Sequence, residues 1–582
     1  MVGACAPPAP AFPSPDYSKH RPILLEVLQK VQNEIDSIVA ERTYDTTAFS
    51  IEVTSSKGSL WSSFHRARER DPLRPGAEEV DGNSVYRIAS ITKTFTILGV
   101  LKQHTAGHLN LDDAIDTYLT DLKGAQSGSI RWKDITLRSL ASQLSGLPFD
   151  WPKSGLPARF HDPTKLGLPP PNNSASLPQC DQSNEEEKPC SGADLIMVAK
   201  SLMPLFAPNS RSTYSNIAFE LLGLVLSKVS GMSYEEYIAT SILNPLGMNA
   251  TTFVTPPDPV AVLPKNQSWY FSVDQGVHNP TGGLYSTSSD LSLYLRYILS
   301  HYNDLAPGIN WLQPASFATG PSTYYGMPWE IYRTPTPNPV TFYTKGGEVP
   351  GYASIIALAP EYDLGITILV GGNAKLLSRL LKAVSIPLVE AAREIAGLEV
   401  RERYTGTYAA TDLNSTLTLA YTPDKGLYIE RWISNGTDFL AVVLQKFLGA
   451  MDDGTRLQIV PTMLCMDEEK QKGERWRAVP VEADQGETKG VWDDFCITHM
   501  YDYTYDGEPL NEVVFWDGEV ELTGLKIRLR KIHAMKEEVR EGTGSAAVLK
   551  LTSPTWTWSR VIDCVLKLQT FVPGLAGMKT HQ

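Results

Sequence analysis

The apolar residues of this 582-residue chain change their spacing near residue 400. Before that point, runs with helical spacing are mixed with short strand-like runs, whereas strict alternation dominates after it. The alternating segments are residues 416–421, 427–432, 513–516 and 525–532. Six of the twelve Trp also lie in this last third, as expected for an aromatic-filled barrel or sandwich. The change predicts two domains, residues 21–398 and an all-β domain of residues 400–582.

The first domain is predicted to mix strands with helices. The strand-like runs are residues 48–53, 60–64, 353–358 and 365–370. The helical patterns are residues 21–42, 90–118, 216–230, 288–300 and a helix pair within 374–396. Residues 148–193 are rich in Pro, Asn and Ser, and an irregular insertion of this length is typical of a lid, a binding loop or a disordered segment.

Composition disfavours several classes of function. The net charge is −13, so the clustered basic surface that binds nucleic acids is not expected. No window holds about 18 uninterrupted apolar residues, so no membrane-spanning segment is predicted. The ten His lack metal-ligand spacing and no Gly-x-Ser-x-Gly elbow occurs, which predicts a protein without metal or cofactor and disfavours an α/β-hydrolase.

Cysteines and glycosylation sequons bear on the compartment. Cys180 and Cys190 bracket an acidic, polar stretch, which suits a surface loop closed by a disulfide. Cys465 with Cys496 would make a second bridge, and Cys5 with Cys564 a third. Five Asn-x-Ser/Thr sequons occur, and no signal peptide is visible. Together these features predict a secreted, glycosylated mature chain, and the alternative is a cytosolic protein with free thiols.

The first candidate for chemistry is the Ser90-Ile-Thr-Lys93 motif at a predicted helix start. Residues three apart share a helix face, so the Ser hydroxyl and the Lys ammonium can point into one cleft. A lysine activates a serine if desolvation or nearby cations lower its pKa. The structural alternative is a helix-capping Ser beside a solvated Lys.

The second candidate is Tyr214-Ser-Asn216, just before an apolar run. A phenolate beside lysine cations can accept the proton of an attacking hydroxyl, and Asn can anchor a substrate amide or the lysine amine. The structural alternative is a Tyr packed at a helix start.

The third candidate is Lys345-Gly346-Gly347-Glu348, before a predicted strand. The glycines let a backbone edge approach a ligand closely, and the N–H of Glu348 would complete an oxyanion hole with the N–H of Ser90. Lys345 would add positive potential beside a substrate carboxylate or the developing oxyanion. The structural alternative is a β-turn with an exposed Lys.

The three motifs occur in this order at helix-start, loop and strand-edge positions, and with them the chain resembles the serine β-lactamase and penicillin-binding-protein superfamily. The resemblance is to the class C β-lactamase-like branch, which includes D-aminopeptidases, esterases and fungal transesterases. Residues 134–148, 244–248 and 281–286 look like the same branch. The resemblance covers roughly residues 25–398. It implies an α/β (α+β) β-lactamase/transpeptidase-like domain, with an antiparallel sheet flanked by the terminal helices, an all-helical subdomain, and the cleft between them.

The resemblance also implies roles for the motif residues. Ser90 would be the acylated nucleophile, and Lys93 and Tyr214 would share its activation. Asn216 would orient the substrate or Lys93, and Lys345 would stabilise negative charge. The expected partner is a small-molecule or peptide-like acyl substrate.

Two departures from the pattern of the lactamases favour other substrates. The third motif has Gly346 where lactamases usually carry a Thr hydroxyl, and the insertion lengthens the gap between the first two motifs. The leading prediction is therefore a serine hydrolase of an ester, amide, lactone or lactam. An acyltransferase that uses the same acyl-enzyme and a catalytically silent binding protein are the alternatives.

Overall fold

The computed structural model describes residues 14–124, 130–151, 163–170, 178, 180–181, 188–336, 339–447, 456–481 and 503–532. These residues form two compact units. The larger unit contains the described residues of 26–334 and 341–387, and the smaller unit contains those of 14–25, 335–340 and 388–532.

The larger unit is built on an eight-stranded antiparallel sheet in the order β2-β1-β10-β9-β8-β7-β6-β5. Its strands, together with the separate pair β3–β4, are β1 (Ala48–Ser55), β2 (Gly58–His65), β3 (Tyr86–Arg87), β4 (Tyr285–Ser286), β5 (Ser316–Phe317), β6 (Thr323–Tyr325), β7 (Glu330–Arg333), β8 (Thr341–Val349), β9 (Tyr352–Ala359) and β10 (Leu364–Gly371). Every residue of β9 and β10 is buried, which indicates that both faces of the sheet are covered at its centre.

Helices flank this sheet and also form a separate helical region. The helices are α1 (Arg21–Val39), α2 (Thr92–Thr105), α3 (Ile115–Tyr118), α4 (Leu137–Ala141), α5 (Gly192–Ala199), α6 (Asn216–Ser230), α7 (Tyr234–Ile238), α8 (Asn244–Leu246), α9 (Asn279–Gly282), α10 (Ser288–His301) and α11 (Lys375–Tyr404). Helix α10 packs across β1 and β10. Helix α2 packs against α6, and α9 contacts both.

The contact between α6 and α9 is unusually close. A Cβ at Gly223 of α6 would lie 2.1 Å from Cγ of Pro280 in α9, so a side chain there would push the two helices apart. The architecture confirms the predicted α/β domain with an antiparallel sheet, flanking helices and a helical region. No single helix in the described ranges has the length and hydropathy to cross a membrane. One pair of helical segments, Asn216–Ser230 and Tyr234–Leu246, which are bent by 76° relative to each other, meets these two criteria when taken together.

The smaller unit is an antiparallel barrel. Its strands are β11 (Gly406–Ala409), β12 (Thr416–Thr422), β13 (Gly426–Ser434), β14 (Thr437–Asp438), β15 (Arg456–Asp467), β16 (Lys472–Val481), β17 (Thr504–Tyr505), β18 (Glu508–Pro509), β19 (Glu512–Trp516), β20 (Glu519–Leu522) and β21 (Ile527–Lys531). The order β12-β11-β21-β20-β19-β16-β15-β13 closes through a further pairing of β12 with β13. Buried rings, including Tyr408, Trp432, Trp476 and Phe515, fill the core, as in small closed barrels. The all-β prediction for this part of the chain is confirmed.

One predicted element differs from the structure. The predicted helix pair within residues 374–396 is one continuous helix, α11, although Pro387 lies inside it. Proline removes one intrahelical N–H and normally breaks or kinks a helix, which favours two short helices from sequence alone. Val384 and Leu388 on either side of Pro387 are both buried, so tertiary packing holds the helix through this position.

The cysteine predictions have mixed outcomes. Cys180 and Cys190 form the predicted disulfide. The predicted bridge from Cys465 is wrong, because Cys465 is a free cysteine on the exposed half of β15. Its predicted partner Cys496, like the pair Cys5 and Cys564, lies outside the described residues.

Candidate active site

Ser90 lies in a tight turn immediately before helix α2. Its neighbour Ala89 has φ +46°, a left-handed conformation that is uncommon for a residue with a side chain and that often marks a functional site. The turn is held by hydrogen bonds from Thr92 Oγ1 to the Ala89 carbonyl (2.7 Å) and from Ser354 Oγ to the Ile88 carbonyl (2.9 Å). The nucleophile candidate therefore stands on a fixed turn that contacts strand β9.

Lys93 follows one turn later and is fully buried, at 0% exposure. Its Nζ donates to Ser90 Oγ (3.0 Å), to Asn216 Oδ1 (2.8 Å) and to the Thr281 carbonyl oxygen (2.9 Å). Burial lowers the pKa of Lys93 well below its usual value, and the charge of Lys345 lowers it further. The alternative of a solvated Lys is wrong, and the amine is placed where it can exchange a proton with the serine hydroxyl.

Tyr214 lies between the two lysines of the site. Its ring centroid is 5.1 Å from Lys93 Nζ and 5.2 Å from Lys345 Nζ. Burial raises the pKa of Tyr214, although the charge of Lys345 and the polar interactions of the phenol with Ser90 and Lys345 oppose the rise. The phenol is therefore mainly protonated at neutral pH and can pass a proton between neighbouring groups.

Lys345 is a buried member of strand β8 and not the exposed turn residue of the structural alternative, with 1% side-chain exposure. Its Nζ donates to Glu330 Oε1 (2.7 Å) and to the Gly346 carbonyl oxygen (2.8 Å). Burial acts to lower the pKa of Lys345, but the charge of Glu330 and the contact with Tyr214 outweigh it, so the pKa is raised. This lysine is held as a cation.

The glycines of β8 bring the strand edge against the turn of Ser90. A Cβ on Gly347 would lie 2.3 Å from the Ile88 carbonyl oxygen and 2.9 Å from the Ser90 amide nitrogen, so only glycine fits. The Gly346 N–H donates to Glu330 Oε2 (3.1 Å) and thus points away from β9. Because N–H groups alternate along an antiparallel strand, the N–H of Glu348 leaves the strand on that same side. The arrangement is suited to bind an oxyanion between this edge and the amide of Ser90.

Asn216 is the first residue of α6, and Ser215 caps this helix by accepting a hydrogen bond from the Ala218 N–H. The Asn216 side chain accepts from Lys93 and donates through Nδ2 to Asp150 Oδ2 (3.3 Å). Its conformation is thereby fixed from both ends of the amide.

Behind Asn216, the side chains of Asp150, Glu220 and His278 form a polar cluster whose potential metal-ligand atoms all lie within 4.8 Å of one another. Glu220 Oε1 shares a 2.7 Å hydrogen bond with His278 Nδ1, and Trp151 Nε1 donates to Glu220 Oε2. Both Glu220 oxygens thus have protein partners, and the cluster is built as a hydrogen-bond network.

The structure brings Ser90, Lys93, Tyr214, Asn216 and the Lys345–Glu348 edge together in the larger unit. Sequence reasoning missed three further contributors. Glu330, the partner of Lys345, comes from β7 and left no local signal. The Thr281 carbonyl belongs to residues 281–286, which resemble the family, but the sequence does not show a contact made by a backbone carbonyl. Glu220 interrupts the apolar run after Asn216 at the i+4 position, and that signal was available.

The chain matches the family model described as beta-lactamase over residues 64–388 and that described as the C-terminal domain of beta-lactamase-like proteins over residues 396–536. It is 33% identical over 534 residues to a probable hydrolase from Phoma sp., covering 88% of this chain and 87% of that protein. It is 32% identical over 575 residues to a probable hydrolase from Cochliobolus lunatus, covering 91% of each chain. It is 30% identical over 461 residues to a beta-lactamase-like protein from Arthroderma benhamiae, covering 75% of this chain and 74% of that protein.

Proposed function

Because this chain belongs to the beta-lactamase family, we propose that it is a serine hydrolase that cleaves an ester, amide, lactone or lactam bond through an acyl-enzyme on Ser90. The observation that carries the proposal is the 3.0 Å contact between Ser90 Oγ and Nζ of the fully buried Lys93. An amine with a lowered pKa is available as a base near neutral pH, and a serine hydroxyl needs such a base to attack a carbonyl. The substrate is a small-molecule or peptide-like acyl compound.

In the first half of the reaction, Ser90 Oγ attacks the carbonyl carbon, and its proton passes to Lys93 Nζ, either directly or through Tyr214, whose phenol gives up its own proton as it takes the new one. The two groups interact, so the pKa values that govern this step belong to the pair. The carbonyl oxygen gains the negative charge and is stabilised by the N–H groups of Ser90 and Glu348 and by the cation of Lys345. Asn216 holds the amine of Lys93 in line with the hydroxyl.

The tetrahedral intermediate then collapses. The bond to the leaving group breaks, the leaving group takes a proton from Tyr214, and an ester on Ser90 remains. A water molecule attacks this ester after giving its proton to the same base system. Release of the acid returns the proton to Ser90 Oγ and restores the starting state.

The third motif supports a substrate other than a β-lactam. Gly346 stands where lactamases usually carry a threonine, so no hydroxyl is offered there to a substrate carboxylate. Gly347 leaves no room for a side chain beside the turn of Ser90. The polar contacts to substrate at this edge are therefore backbone N–H groups and Lys345, which suit esters, amides and lactones in general.

The test compares wild type with Ser90→Ala on a panel of esters, D-amino amides, lactones and a chromogenic cephalosporin. We expect Ser90→Ala to lose on the order of 10³-fold or more in rate. Mass spectrometry of the stalled reaction is expected to place the acyl mass on Ser90. Ser50→Ala is the matched control, because Ser50 on β1 is also buried and hydrogen-bonded, here to Tyr86, and should leave the rate unchanged.

The outcomes separate the alternatives. Near-wild-type turnover by Ser90→Ala would refute the proposal. An acyl-enzyme that is discharged only when an alcohol or amine acceptor is added would identify an acyltransferase. Absence of both turnover and acylation across the panel would favour a silent binding protein.

We further propose that the chain functions outside the reducing cytosol. The disulfide between Cys180 and Cys190 supports this proposal, because such bonds persist in oxidising compartments. Thiol titration of the denatured protein tests it: six free thiols would exclude an oxidised chain. A mobility shift on deglycosylation would test the five sequons.

A further inference from the structure

The position of the Lys93 amine depends on two segments besides its own helix. Asn216 Oδ1, at the start of α6, accepts its hydrogen bond at 2.8 Å, and the Thr281 carbonyl, in α9, accepts at 2.9 Å. These two acceptors and Ser90 Oγ use all three donors of an ammonium group. Whatever holds α6 against α9 therefore also holds the amine at 3.0 Å from the Ser90 hydroxyl.

A buried carboxyl, Glu220, and a partly buried imidazole, His278, join those two segments. Glu220 lies one helical turn after Asn216 on the same face of α6, and His278 lies three residues before Thr281. Glu220 Oε1 and His278 Nδ1 are 2.7 Å apart, and the Glu220 side chain is 0% exposed. A buried carboxyl is costly unless it is fully hydrogen-bonded, and here Trp151 satisfies the second oxygen.

We infer that Glu220 and His278 are positioning residues, which hold the Asn216 and Thr281 acceptors so that the Lys93 amine stays within reach of Ser90. This inference rests on the proposed function. Neither Glu220 nor His278 hydrogen-bonds to Lys93 or Ser90, so both act through the two acceptors.

Two other features of the same cluster support the inference. Asp150 accepts from Asn216 Nδ2 at 3.3 Å, which fixes the far end of the amide that receives the Lys93 hydrogen bond. Thr281 Oγ1 donates to the Asn216 carbonyl at 3.0 Å, which is a second direct link between α6 and α9. The acceptors of Lys93 thus belong to one connected network, and Glu220 and His278 are its cross-link.

The charge of Glu220 gives the test a second readout. Burial is the largest cause that lowers the pKa of Lys93; among the charged groups that face it, one lysine lowers the pKa and three carboxylates raise it. These groups are Lys345, Asp150, Glu330 and Glu220. Neutralising Glu220 removes one of the raising charges, so the acidic limb of the rate profile, where Lys93 loses its proton, should move to lower pH.

The experiment measures kcat, KM and the pH profile of the full chain with the best ester of the panel. We expect Glu220→Ala and His278→Ala each to lower kcat tenfold or more while KM stays within about twofold. The double variant should be no worse than the worse single variant, because both remove the same link. Glu220→Gln keeps an acceptor oxygen for His278, so it should recover most of kcat and still show the shifted acidic limb.

Asp290→Ala is the matched control. Asp290 is also a buried carboxyl that links two segments, since it accepts from the Ala250 N–H (2.9 Å) and from Thr251 Oγ1 (2.7 Å), and it has no hydrogen bond to Lys93. We expect Asp290→Ala to lower Tm but to keep kcat within twofold. If Glu220→Ala and Asp290→Ala changed kcat and the pH profile alike, the positioning role would be wrong.

A crystal structure of Glu220→Gln and of His278→Ala decides the inference without reference to turnover. We expect Lys93 Nζ in His278→Ala to lose at least one of its contacts with Asn216 and Thr281. Unchanged contacts in both variants, with wild-type kcat, would overturn the inference and leave the hydrolase proposal standing. If wild type and Ser90→Ala were equally inactive, the hydrolase proposal would be wrong instead. The distances from Lys93 Nζ to Asn216 and Thr281 in the variant structures would still test whether Glu220 and His278 position the amine.

Discussion

Replacing Gly347 by alanine would place a methyl group between strand β8 and the turn that carries Ser90. The new Cβ would lie 2.3 Å from the Ile88 carbonyl oxygen, 2.7 Å from Ser354 Oγ and 2.9 Å from the Ser90 amide nitrogen. Ordinary contacts of a Cβ begin near 3.4 Å. The strand edge or the turn must therefore move by roughly 1 Å, and two of the three clashing atoms are backbone atoms that cannot rotate away.

A shift of this size acts on the two N–H groups assigned to the oxyanion. A 1 Å misplacement of reacting groups costs about 10²-fold in rate, and loss of one oxyanion donor costs about 10²–10³-fold, or roughly 2.7–4 kcal/mol. We therefore expect Gly347→Ala to lower kcat by about 10²–10³-fold. Overpacking of a filled site also costs about 1–3 kcal/mol of stability, so Tm should fall as well.

The assay is the steady-state rate on the best ester together with thermal unfolding. Gly365→Ala is the control for the loss of stability: on β10 of the same sheet, its Cβ would meet Thr54 Cγ2 at 3.0 Å and Leu295 Cβ at 3.1 Å, both side-chain atoms. We expect the control to lower Tm and to keep kcat within about threefold. If Gly347→Ala kept wild-type kcat, the strand edge would not be a working part of the site.

Three further perturbations test the electrostatics and the covalent link. Glu330→Gln removes the charge that raises the pKa of Lys345. Below about pH 10.5 the free energy of unfolding should therefore fall by on the order of 3 kcal/mol. The alkaline loss of kcat/KM should also begin at lower pH, because Lys345 then loses its proton more easily. Lys93→Met should lower turnover by about 10²–10⁴-fold, because the base is lost. The same variant should raise Tm at pH 6, because the depressed pKa of Lys93 makes the folded state bind fewer protons than the unfolded chain. This gain in Tm should shrink as the pH approaches 10.5. Replacing Cys180 and Cys190 by serine opens a loop of about ten residues and should cost about 2.7 kcal/mol in denaturant titrations, because the closed loop restricts the unfolded chain.

The residues that meet at Ser90 were predictable because each motif carries its own local geometry. Ser90 and Lys93 share one helical face whatever surrounds them, and a Lys-Gly-Gly run before a strand indicates a bare strand edge. Their meeting in one place followed from the family resemblance and from no property of the spacing. The all-β part was predictable for a similar reason, since alternation over many strands allows few other structures.

The parts that were missed depend on contacts between distant segments. Glu330 reaches Lys345 only because β7 pairs with β8 from Glu330 to Thr344, a register that no local pattern encodes. The continuity of α11 through Pro387 depends on burial of both flanks. In each case tertiary packing decides an outcome on which local propensity is silent or opposed.

The two lysines of the site show how surroundings assign different roles to one residue type. Lys345 is paired with the carboxylate of Glu330 at 2.7 Å, and its pKa is raised. Lys93 is equally buried but its three acceptors are a hydroxyl, an amide oxygen and a carbonyl oxygen, none of which carries a charge, and its pKa is lowered. A neutral acceptor set leaves the desolvation of the ammonium only partly offset, by more distant carboxylates, so the proton is released easily, whereas a directly bonded carboxylate retains it. The ring centroid of Tyr214 lies about 5 Å from both nitrogens, so its phenol can relay a proton between Lys93 and the reacting groups while Lys345 stays charged. It follows that an aspartate at position 216 would give Lys93 a charged partner, raise its pKa and hold it as a second cation. Asn216→Asp should therefore lose activity at neutral pH and regain part of that activity at alkaline pH.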